Sequence, residues 1–413
     1  LFRDYIIKFG FLDGFYGLVI SVNSSHETFL KYSKLRNLHR VKAEDERDRI
    51  CFFNSAISWG GGERWHLDVS SRMQVKNKKV LLISHPHSEL AKRAARNNIP
   101  FIPVKVTNLS FLNPWKFYVI YKLLKKENIE TIFINLSSDL KVAGVAAKLA
   151  GVRKIIYRRG SAIPIRNTFL NRYLYRKVVT RVIANSLETS RTILLNNEKL
   201  IPRGKIEIIY NGIDLEVFED QNFELLYQPG ENEIVIGNAG RLSEEKGQSY
   251  LVDLAVMMKN KGYSFKILIA GKGKLKSKLL KYARMKGVEN EVLLMDFVEN
   301  MKSFNKTIDI FTLTSLYEGF GYVLVEAMAT EKPVIAFDIN SSSEIVENGV
   351  SGFLVEKGNV PALLEKVEYL MKNPEMAREI GVNGRKRVED TFTFDRSLQK
   401  VEDLLNSEKA ARN

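Results

Sequence analysis

The sequence predicts an α/β protein made of two consecutive doubly wound, Rossmann-like halves that face a cleft. Three observations predict it. Short apolar runs of strand length alternate with helix-length periodic segments, the signature of parallel sheets with right-handed crossovers. The alternation closes at "GKIEIIYNGID" and then restarts, so the pattern occurs twice. The 413 residues, 45% apolar and 27% charged, suffice for two full cores.

Residues 1–38, from "LFRDYIIKFGFLDGFYGLVISV" to the basic "KYSKLRNLHR", form an aromatic-rich tail outside that pattern. It suits either a membrane interface or an inter-domain helix. The chain begins with Leu1 and not Met, which implies sequence upstream. Residues 39–48 carry the charge-dense "VKAEDERD", with no apolar period, and read as a linker. The first half, 49–213, then supplies strand-like runs at "RICFFNSAI" (49–57), "KKVLLIS" (78–84), "IPFIPVKV" (99–106), "ETIFINL" (130–136), "RKIIYRR" (153–159) and "RVIANS" (181–186). Periodic segments such as "NPWKFYVIYKLLKKEN" and "DLKVAGVAAKLAG" lie between them, the second closed by Gly151 at a C-cap position. The second half, 214–385, repeats this with "EIVIGNAGRL" (233–242), "FKILIAGKG" (265–273), "EVLLMDFV" (291–298), "DIFTLTS" (309–315) and "KPVIAFD" (332–338); residues 386–413 read as a closing helix. Ligands of such sheets bind at the carboxyl ends of the strands, which places a site between the halves.

Charge is spread unevenly. Lys and Arg minus Asp and Glu give +1 for residues 1–48, +20 for 49–210 and −6 for 211–413. So basic a first half implies an anionic partner, whether nucleic acid, a phosphorylated substrate or an acidic membrane leaflet; a merely solubilising surface is the bland alternative. The single cysteine, Cys51, excludes an internal disulfide and fits a reducing compartment. No apolar run reaches the length of a membrane span, and no signal-peptide pattern opens the chain, so a cytoplasmic protein is expected.

Candidate chemistry clusters at strand ends of the second half. In "GNAGRLSEEKGQ", Gly240 ends a strand and is followed by Arg241 and Lys246, a fork and a point charge able to hold a diphosphate. "GKGKLKSKL" repeats the theme at the next strand end, where the glycines serve either a nucleotide base or a plain turn. In "LYEGFGYVLVEAMAT", Glu318 lies in a loop, Gly319 and Gly321 bracket Phe320, and a helix starts near Tyr322, whose amides and dipole favour a phosphate. Glu326 falls in the first turns of that helix, where a carboxylate can accept two ribose hydroxyls. The competing reading makes Glu318 a surface residue and Glu326 a dipole partner. Five histidines and one cysteine show no metal-ligand spacing, and "HPH" at 85–87 reads as a Pro-containing turn.

From about Arg49 onward the chain resembles the family 4 retaining glycosyltransferases of the GT-B fold, on the ordered motifs "WGGGE", "NGID", "GRLSEEKG", "EGFGYVLVEAMA" and "EIVENGVSGFLV". The resemblance implies a nucleotide-diphosphate sugar as co-substrate, with no cofactor and no metal. It puts Glu326 on the donor ribose, Glu318 on the donor sugar, Arg241 with Lys246 on the diphosphate, Gly61 and Gly62 in a loop closing over the phosphates, and Gly240, Gly319, Phe320, Gly321 and Tyr322 among the donor contacts. Many relatives place a histidine where this chain has Arg158 and Arg159. The arginines then hold an anionic acceptor or the diphosphate, or Asp139 does the polar work, or the donor phosphate oxygen itself takes the acceptor's proton. Residues 1–38 resemble the C-terminal tail of family 2 glycosyltransferases of lipopolysaccharide core assembly. Together these imply transfer to an anionic glycolipid or glycan at the inner face of the cytoplasmic membrane, with no nucleic acid as partner. A catalytically inactive glycan-binding module and a basic nucleic-acid-binding protein are the rival classes.

Overall fold

The computed structural model describes residues 12, 14–45, 49–219, 222–339 and 341–407. The first half folds into a seven-stranded sheet of β1 (Arg49–Asn54), β2 (Lys79–Ser84), β3 (Phe101–Pro103), β4 (Thr131–Ile134), β5 (Lys154–Arg159), β6 (Arg181–Ala184) and β7 (Ile206–Ile208). Its order is β3-β2-β1-β4-β5-β6-β7 and every pairing is parallel. The second half forms a six-stranded parallel sheet of β8 (Ile234–Ala239), β9 (Phe265–Ala270), β10 (Val292–Leu294), β11 (Ile310–Leu313), β12 (Val334–Phe337) and β13 (Phe353–Val355), in the order β10-β9-β8-β11-β12-β13.

The strands read as continuous apolar runs because helices cover both faces of each sheet. In β1, Cys51 and Phe53 enter one core while Ile50 and Phe52 enter the other. In β11, Ile310 and Phe311 divide in the same way. Each fully buried side chain of this size contributes about 2 kcal/mol. The edge strand β3 is shorter than the run 99–106, and at its start Pro100 lacks the amide that a longer ladder needs. The other edges, β7, β10 and β13, have three residues each, and in β7 and β13 that is too few for a period to be read.

Three sequence-based boundaries differ from the structure. The N-terminal helix runs from Gly14 to Asp45, through the expected break at residue 38, where Lys42, Ala43 and Glu44 favour a helix and no Gly or Pro interrupts it; residues 1–11, 13 and 46–48 of the tail and linker lie outside the described residues. Its described side chains, up to Lys34, are exposed or half-exposed. Gly61 and Gly62 are not loop residues: they open the helix Gly61–Val75, whose N-cap is Gly60. The last described residues form two helices, Pro374–Thr391 and Phe394–Asn406, so residue 386 falls inside the first. The second returns to the first half, where Leu398, Val401 and Leu405 pack with Ile50 and Phe52. Among the described residues no helix is long and apolar enough to cross a membrane.

Candidate active site

The carboxyl ends of both sheets meet across a cleft. On the wall from the second half, β8 ends at Ala239 and the chain turns through Gly240 into the loop carrying Arg241 and Lys246. The amide of Gly240 donates to Ala270 O at 2.9 Å and that of Gly271 donates to Asp296 O at 2.6 Å, which ties this loop to the next strand end. Lys246 Nζ makes an ion pair with Glu318, and Ser315 Oγ donates to the same carboxylate at 3.3 Å. Gly321 caps the helix Tyr322–Ala329, as the sequence predicts, and the positive end of its dipole faces this basic loop.

Glu326, in that helix, is buried at 3% exposure. Its Oε1 accepts from Arg64 Nη1, and Arg64 comes from the opposite half. The guanidinium also lies 4.9 Å from the centroid of the Tyr322 ring and 3.6 Å from Asp68. Burial opposes the charge on Arg64, but Glu326, with Tyr322 and Asp68, outweighs it and holds the guanidinium firmly protonated. Close approach at two points requires glycine. A side chain at Gly61 would meet the Tyr322 ring at 2.9 Å, and one at Gly319 would overlap the carbonyl oxygen of Gly160. Phe320 turns away from the cleft and packs at 5% exposure among Tyr210, Tyr322 and Phe392.

The wall from the first half is a buried polar layer. Polar residues stand at or just beyond the ends of its strands: Asn54, Asn135, Arg158, Asn185 and Asn211. Arg158, 1% exposed, donates from Nη1 to Asn135 Oδ1 at 2.9 Å and from Nη2 to Asn211 Oδ1 at 2.8 Å, with its guanidinium 5.0 Å from the Trp65 ring centroid. Burial pulls its pKa down. Asp139 is fully buried and accepts from Ser55 N at 2.9 Å and Ser55 Oγ at 2.5 Å; burial pushes its pKa up to about 7 against those bonds. Both residues are therefore sealed beneath the cleft and do not face it. Arg159 is half-buried and donates to Ile163 O at 2.6 Å. Gly62 sits against Asn135, and Glu63 accepts from Asn54 Nδ2 at 3.0 Å. Burial, with Arg158 nearby, keeps His66 neutral well below its usual range.

The structure thus joins Arg241, Lys246, Glu318, Gly319, Gly321, Tyr322 and Glu326 on one wall and sets Gly60 to Gly62 against them, with Arg241 Nη2 3.9 Å from where a side chain on Gly60 would begin. Sequence reasoning missed Arg64, Asn135, Asn211 and Ser55. The available signal for the asparagines was a polar residue closing an apolar strand at its carboxyl end. For Arg64 it was a cation directly after "GGGE".

Two Rossmann-like domains whose strand ends face a cleft with a basic pair, two carboxylates and opposed helix N-termini define the GT-B class. Residues 59–217 match the family model described as Glycosyltransferase Family 4, and residues 225–387 match the one described as Glycosyl transferases group 1. The chain carries the two domains of a family 4-type glycosyltransferase. It is 32% identical, over 57% of its length, to the capsular polysaccharide biosynthesis glycosyltransferase of Staphylococcus aureus, and spans 64% of that protein. It is 26% identical, over 74% of its length and 82% of the relative's, to the UDP-Gal:alpha-D-GlcNAc-diphosphoundecaprenol alpha-1,3-galactosyltransferase of Escherichia coli. The Anabaena protein HepE, crystallised with UDP and glucose, superimposes with a TM-score of 0.75 at 21% identity, covering 87% of this chain and 100% of that one.

Proposed function

We propose that the protein transfers a sugar from a nucleotide diphosphate to an anionic glycolipid or glycan of the cell surface, with retention of configuration and without a metal. The observation that carries this is the convergence of Arg241, Lys246, Glu318 and Glu326 on one wall, opposite the start of the Gly61 helix. Glu326 takes the ribose hydroxyls and Glu318 those of the donor sugar. Lys246 exchanges Glu318 for the diphosphate, which it stabilises together with Arg241 and the Tyr322 helix dipole as negative charge develops on the leaving group. The acceptor oxygen bonds to the anomeric carbon, the bond from that carbon to the phosphate oxygen breaks, and the acceptor proton passes to the departing oxygen. The sealing of Asp139 under Ser55 supports that route, because it leaves this carboxylate out of reach as a base.

The relatives' names support a surface-glycan acceptor, capsular in one case and linked to diphosphoundecaprenol in the other. The lipopolysaccharide core is one such acceptor, reached from the cytoplasmic face. Titration with UDP, GDP and ADP, followed by a panel of nucleotide sugars with extracted membrane glycolipid, tests the reading. Binding and turnover of one pair are expected. No binding of any nucleotide at millimolar concentration would defeat it, and binding without turnover on any acceptor would leave a glycan-binding module.

A further inference from the structure

The proposed transfer gives the buried layer of the first wall no part, although that layer fixes the direction of a hydrogen-bond donor at the cleft. A guanidinium only donates, so the oxygens of Asn135 and Asn211 must face Arg158, at 2.9 Å from Nη1 and 2.8 Å from Nη2. Both Nδ2 groups are thereby turned away from it. Asn211 is sealed at 2% exposure, whereas Asn135, directly after β4, is half-buried at the carboxyl end of the sheet. Among the described residues no group accepts from Asn135 Nδ2. That nitrogen lies against the start of the helix Gly61–Val75: a side chain on Gly62 would overlap it, so amide and helix approach as only glycine allows. The first amides of the helix have no partner within it, and its N-cap, Gly60, makes no side-chain bond to them. Arg241 reaches the same turn from the opposite wall, beside Gly60. Net charge in the layer is offset, because the buried Glu63, held by Asn54 Nδ2 at 3.0 Å, lies close enough to support the charge on Arg158. The layer therefore presents a direction more than a charge.

We propose that Asn135 donates to a phosphoryl oxygen of the donor's diphosphate and that Arg158 is the positioning residue that aims it. This rests on the transferase reading of the same cleft. An amide free to turn would present its oxygen to the phosphate as readily as its nitrogen; with the oxygen held from behind, only the two N–H groups are left for the ligand. Arg158 cannot follow the phosphate itself, since Asn211 and the Trp65 ring, 5.0 Å from the guanidinium, hold its other side. The donor is thus in place before negative charge grows on the leaving group, and no reorganisation is needed as it does. Shape alone does not call for a buried arginine at the end of β5, because an apolar side chain of similar volume fills such a site at no loss of stability. An acceptor phosphate offers the same oxygens, but Arg241 at the same turn favours the diphosphate as the one that Asn135 meets.

Asn135→Asp tests it, because the variant keeps an oxygen on Arg158 and exchanges the two donor hydrogens for an acceptor. Titrations of the full chain with UDP, GDP and ADP are compared with titrations of uridine, guanosine and adenosine. The variant is expected to keep the wild-type urea midpoint and nucleoside affinity, and to bind the diphosphate about tenfold or more weakly. Arg158→Gln should weaken diphosphate binding to a similar extent, and Arg158→Lys, which still donates to Asn135, by less. In an Asn135→Ala background Arg158→Gln should cost no further diphosphate affinity, since nothing is left to aim; a merely structural role would add its loss there too. Unchanged diphosphate binding in Asn135→Asp, a loss that the nucleosides share, or additive losses in the double variant each overturn the proposal. So does a raised acceptor Michaelis constant with nucleotide binding intact, which would give Asn135 to the acceptor. Equal diphosphate binding by wild type and Asn135→Asp leaves the transferase reading standing, whereas a wild type that binds no diphosphate removes both.

Discussion

The two walls of the cleft are built on opposite principles. On the first half, charge lies under the surface: Arg158 is clamped by two asparagine oxygens and a tryptophan ring, and Asp139 is closed off by Ser55. On the second half Lys246 pairs with Glu318 at the part-exposed edge of the cleft, and the buried Glu326 is met by Arg64, part-exposed, reaching across from the first half. A buried, hydrogen-bonded charge has no alternative partner and is set in place when the chain folds. A part-exposed pair such as Lys246 with Glu318 keeps its access to water and can exchange its partner for a ligand. The difference assigns shape to one wall and binding to the other.

Each prediction breaks or sharpens that contrast. Arg158→Ala strands Asn135 and Asn211 and should lower stability by about 3 kcal/mol, read from the urea midpoint; an unchanged midpoint would mean the first wall is not set at folding. Glu326→Ala should raise the nucleotide dissociation constant by roughly thirtyfold, about 2 kcal/mol. Glu318→Ala should act mainly on turnover, and equal kinetics for both variants would remove the binding role from the second wall.

The next effect concerns pH. Asp139 holds its proton more tightly in the folded chain, up to about 7, than in the unfolded one, where it titrates near 3.8. The folded state therefore binds more protons across that interval, and this residue's contribution to stability declines as pH rises from about 4 to about 7 and is level above it. Asp139→Asn should flatten that decline, measured as urea midpoints at acidic and neutral pH; the same slope in both proteins would show that Asp139 is ionised throughout. The smallest effect is expected at Lys76, which pairs with Glu402 at 2.7 Å on the surface where the last helix crosses to the first half. Lys76→Ala should cost under about 1 kcal/mol, because water screens the pair.

Much of the second wall is legible in the amino-acid sequence. A strand, a glycine and a basic pair at 240–246, and a loop with glycines running into a helix at 318–326, are contiguous, so their chemistry is written within a few residues of itself. The first wall is not legible in the same way. Arg158 reads as a surface cation that could meet an acceptor, because nothing near it in sequence announces Asn135 or Asn211. Phe320 reads as a donor contact, yet the rings of Tyr210 and Phe392 draw it into the core.

By itself, the sequence determined two parallel sheets, their strand order of appearance, and the glutamates and basic pair at their ends. Those follow from periodicity and turn chemistry, which act over a few residues. Tertiary structure alone decided which charge meets which. Arg64 and Glu326 stand 262 positions apart, and Arg158 and Asn211 stand 53 apart. The partner of a buried charge is whatever packing brings to it, and packing is settled only when both sheets and the returning last helix have closed around the cleft.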